Sequence, residues 1–337
     1  MSVASLALLI IFIYNEINYC LSSLSCTSVE SKVNGPLNAD QLLSFYQNGY
    51  LIVKNWFSDD DISPLRDAFY EDPSLNGKLY VITDSNNNPS YMANWRSQSN
   101  DLIGMLLRQE SFINAIEQLA GGKVYIWHNK IISKPPYSNG TWEYHQDFGS
   151  WYYDNLLKPE MLTASIAIDN QTIENGALIA LAGTQFIGRI DHEIIGNAQG
   201  ANKERVNALI NFANYKEVSM IMNAGDVMFF HCNTLHRSGP NNSNYPRTLL
   251  HGTYNLKSNQ QYKDKEGDIY KHKYSPIIKI NDNIIKNKMY SSIFDETEFL
   301  YHGPTNTKSN YGYKILELPH NIKEIFQIQQ VDNTCMT

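Results

Sequence analysis

"GDVMFFHCNTLHRSGPNNSNYPRTLL", residues 225–250, reads as two β-forming runs separated by turns. A Gly-Asp pair opens it, an apolar run follows, and Gly-Pro-Asn-Asn interrupts the chain before a second run starts at Arg247. Gly, Pro and Asn supply the backbone conformations that tight turns demand, so the stretch is strand, turn, strand rather than helix. The first run delivers a histidine, either His231 or His236, toward a site that other strands would have to complete.

The same alternation extends in both directions from there. "KVYIWHNKIISK", "LTASIAID", "GALIALAG" and "RTLLHGTYN" are short β-rich runs broken by Pro-Pro, Asn-Gly and Ala-Gly-Asp turns, with a charged insertion near residues 196–216. Upstream of Lys123 the period is helical. "LNADQLLSFYQNGY" reads as a helix with Leu42, Leu43, Phe45 and Tyr46 inward and a stop at Gly49; a strand follows, then a second helix capped by Ser58. "NDLIGMLLRQESFINAIEQLAGG" reads as one more helix, with Leu102, Met105, Leu106, Ile113, Ile116 and Leu119 inward and a stop at Gly121-Gly122. These elements predict a mostly β protein with flanking helices, its core a double-stranded β-helix, that is, a cupin-like jelly roll with helices on one side.

"TWEYHQDFGSWYYDN", residues 141–155, carries the chemistry. Read as a strand, it turns His145 and Asp147 to one face and Gln146 to the other, which aims two ligand groups at one spot. A further histidine from the 225–250 stretch would complete two histidines and one carboxylate on one face of an octahedron. That set suits non-haem Fe(II) and leaves positions open for other ligands. Zinc more often takes a tetrahedral His/Cys-rich set. Both candidates stay open here; His231, which ends an apolar run, has a competing reading as a packed, hydrogen-bonded core histidine. Asp169 and Glu174 read as turn residues.

Composition narrows the class. The chain has 337 residues, 42% hydrophobic and 18% charged, and no linker or repeat divides it, so residues 37–337 read as one domain. Net charge is −7 with dispersed lysines and arginines, which argues against nucleic acid as a partner. The four cysteines have no zinc-knuckle spacing. Residues 3–14 are an apolar run too short to span a bilayer comfortably, and no Lys or Arg precedes it. Residues 1–30 therefore read as a signal peptide or a disordered leader. The first gives secretion and the second a cytoplasmic protein, with no integral membrane domain in either case. Oligomeric state stays open.

From about residue 37 to 255 the order of "FYQNGYLIVKNWF", "KPP", "HQD", "ENGALIALAGTQ" and "GDVMFFHCNTLHRSGPNNSNYPR" resembles the phytanoyl-CoA dioxygenase family of Fe(II)- and 2-oxoglutarate-dependent oxygenases, in particular its ectoine-hydroxylase-like branch. The resemblance implies a hydroxylase of a small molecule that uses Fe(2+), 2-oxoglutarate and O2, with decarboxylation to succinate. It makes His145, Asp147 and His236 the metal ligands, because the family's distal histidine precedes x-Ser and, 11 residues on, an arginine; here those are Ser238 and Arg247. Arg247, Ser238 and Lys134 would hold the co-substrate, and Trp151 and His128 would meet the substrate. His128 departs from the branch's glutamine, and Gln185 from the family's usual histidine. In halogenating relatives the carboxylate position is a small residue; with Asp147 there, hydroxylation is implied. A cupin-like enzyme without 2-oxoglutarate, or a silent jelly-roll binding module, are the competing classes. Residues 291–300, "SSIFDETEFL", read as a helix on the domain or over its mouth.

Overall fold

The computed structural model describes residues 35–72, 78–196, 198–263 and 274–300. The expectations for the leader at 1–30 and for the chain beyond 300 lie outside these residues. No described helix is long and apolar enough to cross a membrane.

The chain enters through α1 (Ala39–Asn48), started by a capping box between Asn38 and Gln41 and ended by Gly49 at φ 78°. β1 (Tyr50–Val53) follows, then α2 (Asp59–Glu71), whose Ser58 and Asp61 form a second capping box. β2 (Tyr80–Thr83) and β3 (Pro89–Trp95) make a hairpin. The single helix expected over 100–122 is two, α3 (Leu102–Leu106) and α4 (Glu110–Ala120). They part where Ile280 pairs with the backbone on both sides of Gln109, donating to Arg108 O and accepting from Glu110 N. A tertiary strand contact has interrupted a continuous helical pattern.

The β body comprises β4 (Val124–Lys134), β5 (Trp142–His145), the one-turn helix α5 (Asp147–Trp151), β6 (Met161–Ala167), β7 (Leu178–Leu181), the hairpin β8 (His192–Ile195) and β9 (Ala198–Ala201), α6 (Lys203–Asn211), β10 (Glu217–Ser219), β11 (Val227–His231), β12 (His236–Ser238) and β13 (Arg247–Leu256). A short α7 (Asn283–Lys286) and β14 (Phe299–Leu300) complete it. The charged insertion holds β9 and α6. Residues 291–298 form no helix, and the segment ends as a strand paired with β3.

Two antiparallel sheets face each other. The larger runs β1-β11-β6-β13-β4-β3-β14, with β2 on β3, and the smaller runs β10-β7-β12-β5. This is the expected jelly roll with flanking helices. The outer face of the large sheet, including Leu162, Ala164, Ile166, Val227, Phe229, Leu250 and Tyr254, joins Phe45, Phe69, Phe112 and Ile116 from the helices in the main core. Of the four α1 residues expected inward, Phe45 is buried and Leu42 partly so, while Leu43 and Tyr46 are 55% and 50% exposed. Tyr46 still reaches back far enough for its hydroxyl to donate to Leu119 O. The inner face, with Met228, Phe230, Leu249 and Ala167, packs against Leu178 and Ala180 of the small sheet. The site lies in this interlayer.

Candidate metal centre and anion pocket

His145 is the last residue of β5, and His236 opens β12 directly opposite it across the ladder. Their rings lie 4.2 Å apart between centroids. Asp147 is not on the strand. It begins α5, so the chain turns from strand to helix between the two residues. The i, i+2 expectation reached the right convergence through the wrong geometry, because the break replaces the pleat. One ligand atom from each of His145, Asp147 and His236 lies within 4.8 Å of the others.

The second nitrogen of each imidazole is committed. His145 Nδ1 donates to Glu143 O at 2.8 Å, and His236 Nδ1 donates to Thr234 O at 2.9 Å. A carbonyl only accepts, so Nδ1 carries the proton and Nε2 presents a lone pair. Thr163 Oγ1 donates to Asp147 Oδ2 at 3.1 Å. Burial pushes His145 down to about 3, reinforced by the neighbouring His236, and lowers His236 in the same way. Burial works to raise the Asp147 carboxyl, but Lys130 and the surrounding imidazoles outweigh it and leave it lowered. Two neutral imidazoles and one carboxylate are a donor set for a divalent cation such as Fe(2+).

A second group of polar side chains lies on the neighbouring strands β4, β12 and β13. Arg247 and Lys134 sit opposite each other on β13 and β4, and both are buried. Arg247 Nε donates to Gln171 Oε1 at 2.7 Å, whereas its Nη2 is buried without a hydrogen-bond partner among the described residues. Lys134 Nζ donates to Ser238 Oγ at 2.8 Å and to Gly239 O. Burial lowers Arg247 to about 10 and takes Lys134 well below its usual range; the acids that oppose this, Asp169 and Asp84 respectively, form no ion pair with them. Uncompensated buried cations are costly unless an anion meets them. The orphaned Nη2 therefore fits a dianion such as 2-oxoglutarate, whose far carboxylate an arginine fork can hold.

His128 and Trp151 meet edge to face at 5.4 Å, and burial pushes His128 down to about 3. Phe148 and Trp151 are buried, whereas Tyr152 and Tyr153 are 47% and 51% exposed. Of the four rings, two are thus shielded from water and two face it. His231 is half-buried beside a cavity of about 270 Å3 lined also by Phe45, Tyr46 and Gln185, and its Nδ1 accepts from Asn233 N. It is hydrogen-bonded as expected and lies outside the metal-ligand cluster. Asp169 accepts from Tyr70, a structural role, and Glu174 is exposed.

Sequence reasoning missed Lys130, Gln171 and Gln146. Lys130 makes no side-chain hydrogen bond or ion pair among the described residues; it pairs in register with His251 of β13, and its charge acts on Asp147, His145, His236, His128 and His251. Its signal was present, since Lys130 shares the two-residue period of His128 and Lys134 in β4. Gln171, in the loop after β6, had no local signal.

The chain matches the phytanoyl-CoA dioxygenase family model over residues 45–249. The ectoine dioxygenase of Bordetella parapertussis is 27% identical over 251 residues, covering 71% of this chain and 82% of the relative. The L-proline trans-4-hydroxylase of Streptomyces griseoviridis is 25% identical over 241 residues, covering 67% and 89%. The crystal structure of EctD from S. alaskensis with 2-oxoglutarate and 5-hydroxyectoine shares the fold at TM-score 0.61 and 21% identity, covering 74% of this chain and 89% of that one. The non-heme alpha ketoglutarate dependent carbocyclase SnoK from nogalamycin biosynthesis shares it at 0.56 and 17%, covering 73% and 94%.

Proposed function

We propose that this chain, which belongs to the phytanoyl-CoA dioxygenase family, is an Fe(II)- and 2-oxoglutarate-dependent dioxygenase that hydroxylates a small molecule. The observation that carries the reading is the pairing of a cluster of two histidines and one aspartate with a buried guanidinium nitrogen that has no hydrogen-bond partner among the described residues. A cupin-like enzyme without 2-oxoglutarate would not need that nitrogen.

In this reading His145, Asp147 and His236 hold the iron, while Arg247, Ser238 and Lys134 take the far carboxylate of 2-oxoglutarate. When bound, iron with 2-oxoglutarate and O2 supplies the oxidising chemistry, in which 2-oxoglutarate becomes succinate and CO2 and one oxygen atom enters a C–H bond. The protein's own contribution is placement. Gln171 aims Arg247 by accepting from Nε, and buried Phe148 and Trp151 keep water from one side of the centre. Asp147 occupies the carboxylate position, which favours hydroxylation over halide incorporation.

The substrate we infer is a small carboxylate-bearing metabolite. Lys130 bears on the centre with no anionic partner in contact among the described residues, and the ectoine and L-proline named for two relatives are both small carboxylates. Edge-to-face His128 and Trp151 would form its wall. Anaerobic addition of Fe(II) and 2-oxoglutarate should give a weak visible charge-transfer band. Aerobic incubation with a metabolite pool should then convert one component to a product heavier by one oxygen, with succinate formed. Absence of both the band and 2-oxoglutarate consumption would leave the silent binding module as the better description. In Lys130→Ala, KM for the carboxylate substrate should rise by about 10- to 100-fold, the equivalent of roughly 1.5–3 kcal/mol for a charged hydrogen bond.

A further inference from the structure

We propose that Gln146, the residue between the first two ligands, is a positioning residue that holds the segments carrying all three ligands at one spacing. β5 is the last strand of the small sheet, four residues long, and is paired there only with β12. The chain leaves it for α5 between His145 and Asp147, so no ladder hydrogen bond holds the aspartate in register with the histidine. Some other contact has to set that geometry.

Gln146 is fully buried, and its amide bonds neighbouring loops rather than the ligands themselves. Its Nε2 donates to Gly188 O at 2.8 Å and to Asn233 O at 2.9 Å, and its Oε1 accepts from Ile190 N at 2.7 Å. Its backbone N–H donates to His192 Nε2 at 2.9 Å, while His192 Nδ1 donates to Ile190 O. Asn233 leads into the third ligand, whose Nδ1 donates to Thr234 O. Phe148 N adds a backbone bond to Cys232 O. One amide thus links the ligand pair, the approach to His236 and the loop before β8. Its bonds run to backbone groups, which are fixed by the fold rather than by rotamers, so the amide transmits the fold's geometry to the ligands.

The inference rests on the metal-centre reading, and the experiment separates the two. Co(II) is titrated into the metal-free full chain, followed by its visible absorption, for wild type, Gln146→Met, Gln146→Glu and Gln185→Met. Methionine keeps the volume and removes the amide. Glutamate keeps the acceptor for Ile190 N–H and loses both donations. Gln185 is the control, because its Nε2 bonds Tyr46 O and Gln47 O of α1 rather than the backbone of the ligand-bearing segments. Expected are wild-type affinity for Gln185→Met, about 10- to 100-fold weaker binding with an altered spectrum for Gln146→Met, and a smaller loss for Gln146→Glu. Equal affinity and spectrum in wild type and Gln146→Met, or an equal loss in Gln185→Met, would overturn the positioning role. If Gln146→Met fails to fold, Gln146→Glu against the control decides. Failure of the wild type to bind Co(II) would instead remove the metal reading itself.

Discussion

The Arg247 guanidinium is buried with one nitrogen paired and another without a partner among the described residues. In the absence of an anion that arrangement costs stability; in its presence the same group becomes the anchor. Arg247→Ala should therefore raise KM for 2-oxoglutarate on the order of 100- to 1,000-fold, within the span of about 2–5 kcal/mol for truncating one partner of a buried charged pair. The stability of the ligand-free protein should change little, since removing an uncompensated cation offsets the lost bond to Gln171. Thermal unfolding with and without 2-oxoglutarate and Mn(II) checks this: the wild type should show a ligand-induced rise that the variant lacks. A ligand-free variant that is much less stable than wild type, yet keeps its ligand response, would contradict the assignment. At this scale the motif residues were legible because HxD and the distal histidine lie in short stretches whose order along the chain resembles the family. Gln171 was not, because its role exists only through a contact made across the fold.

Among the elements, β4 and the break after β5 place the chemistry. The pairing of β4 with β13 shifts register between Thr253 and Tyr254, opposite His128 and Ile126, so Trp127 is the extra residue of a bulge. Before the bulge Val124 and Ile126 face the helix core; after it Ile131 does. The switch turns His128, Lys130 and Lys134 to the inner side. Neither this register shift nor the strand-to-helix turn at Gln146 is visible in a two-residue alternation, which reads the same with or without a one-residue slip. Helix starts were easier. The Ser58 cap is confirmed, with its Oγ accepting from Asp61 N and the Asp61 carboxylate accepting from Ser58 N. Ser58→Ala should destabilise the protein by about 0.5–2 kcal/mol without altering metal binding, as measured by urea unfolding and the Co(II) titration respectively. Local hydrogen bonds of this kind depend on residues three apart, so sequence alone exposes them.

Taken as a whole, the described residues hold a set of buried neutral imidazoles. Burial pushes His128 and His145 down to about 3 and His231 to about 4, and lowers His236, His192 and His251 as well. Unfolded imidazoles titrate near 6.5, so between about pH 4 and 6.5 the unfolded chain binds more protons than the native one. Stability should therefore rise with pH across that window. Asp169 works the other way: burial raises it to about 6, so the native state binds the extra proton between the unfolded carboxyl value and about 6. Several histidines against one aspartate leave the net slope positive. Urea midpoints for the metal-free protein between about pH 4 and pH 8 test this, and a midpoint that falls with rising pH below 6.5 would contradict it.

Periodicity and turn chemistry made the jelly roll and its helical lead-in readable, because they depend on residue types at short fixed intervals, and the His145-Asp147-His236-Arg247 set followed from motif order that resembles the family. Long-range contact was needed to divide α3 from α4 through Ile280, to bulge β4, to leave Arg247 half-paired behind Gln171 and to bring Lys130 to the metal-ligand cluster. Those features arise from which strands lie side by side and how much water they exclude. Neither quantity is written in any one stretch of residues.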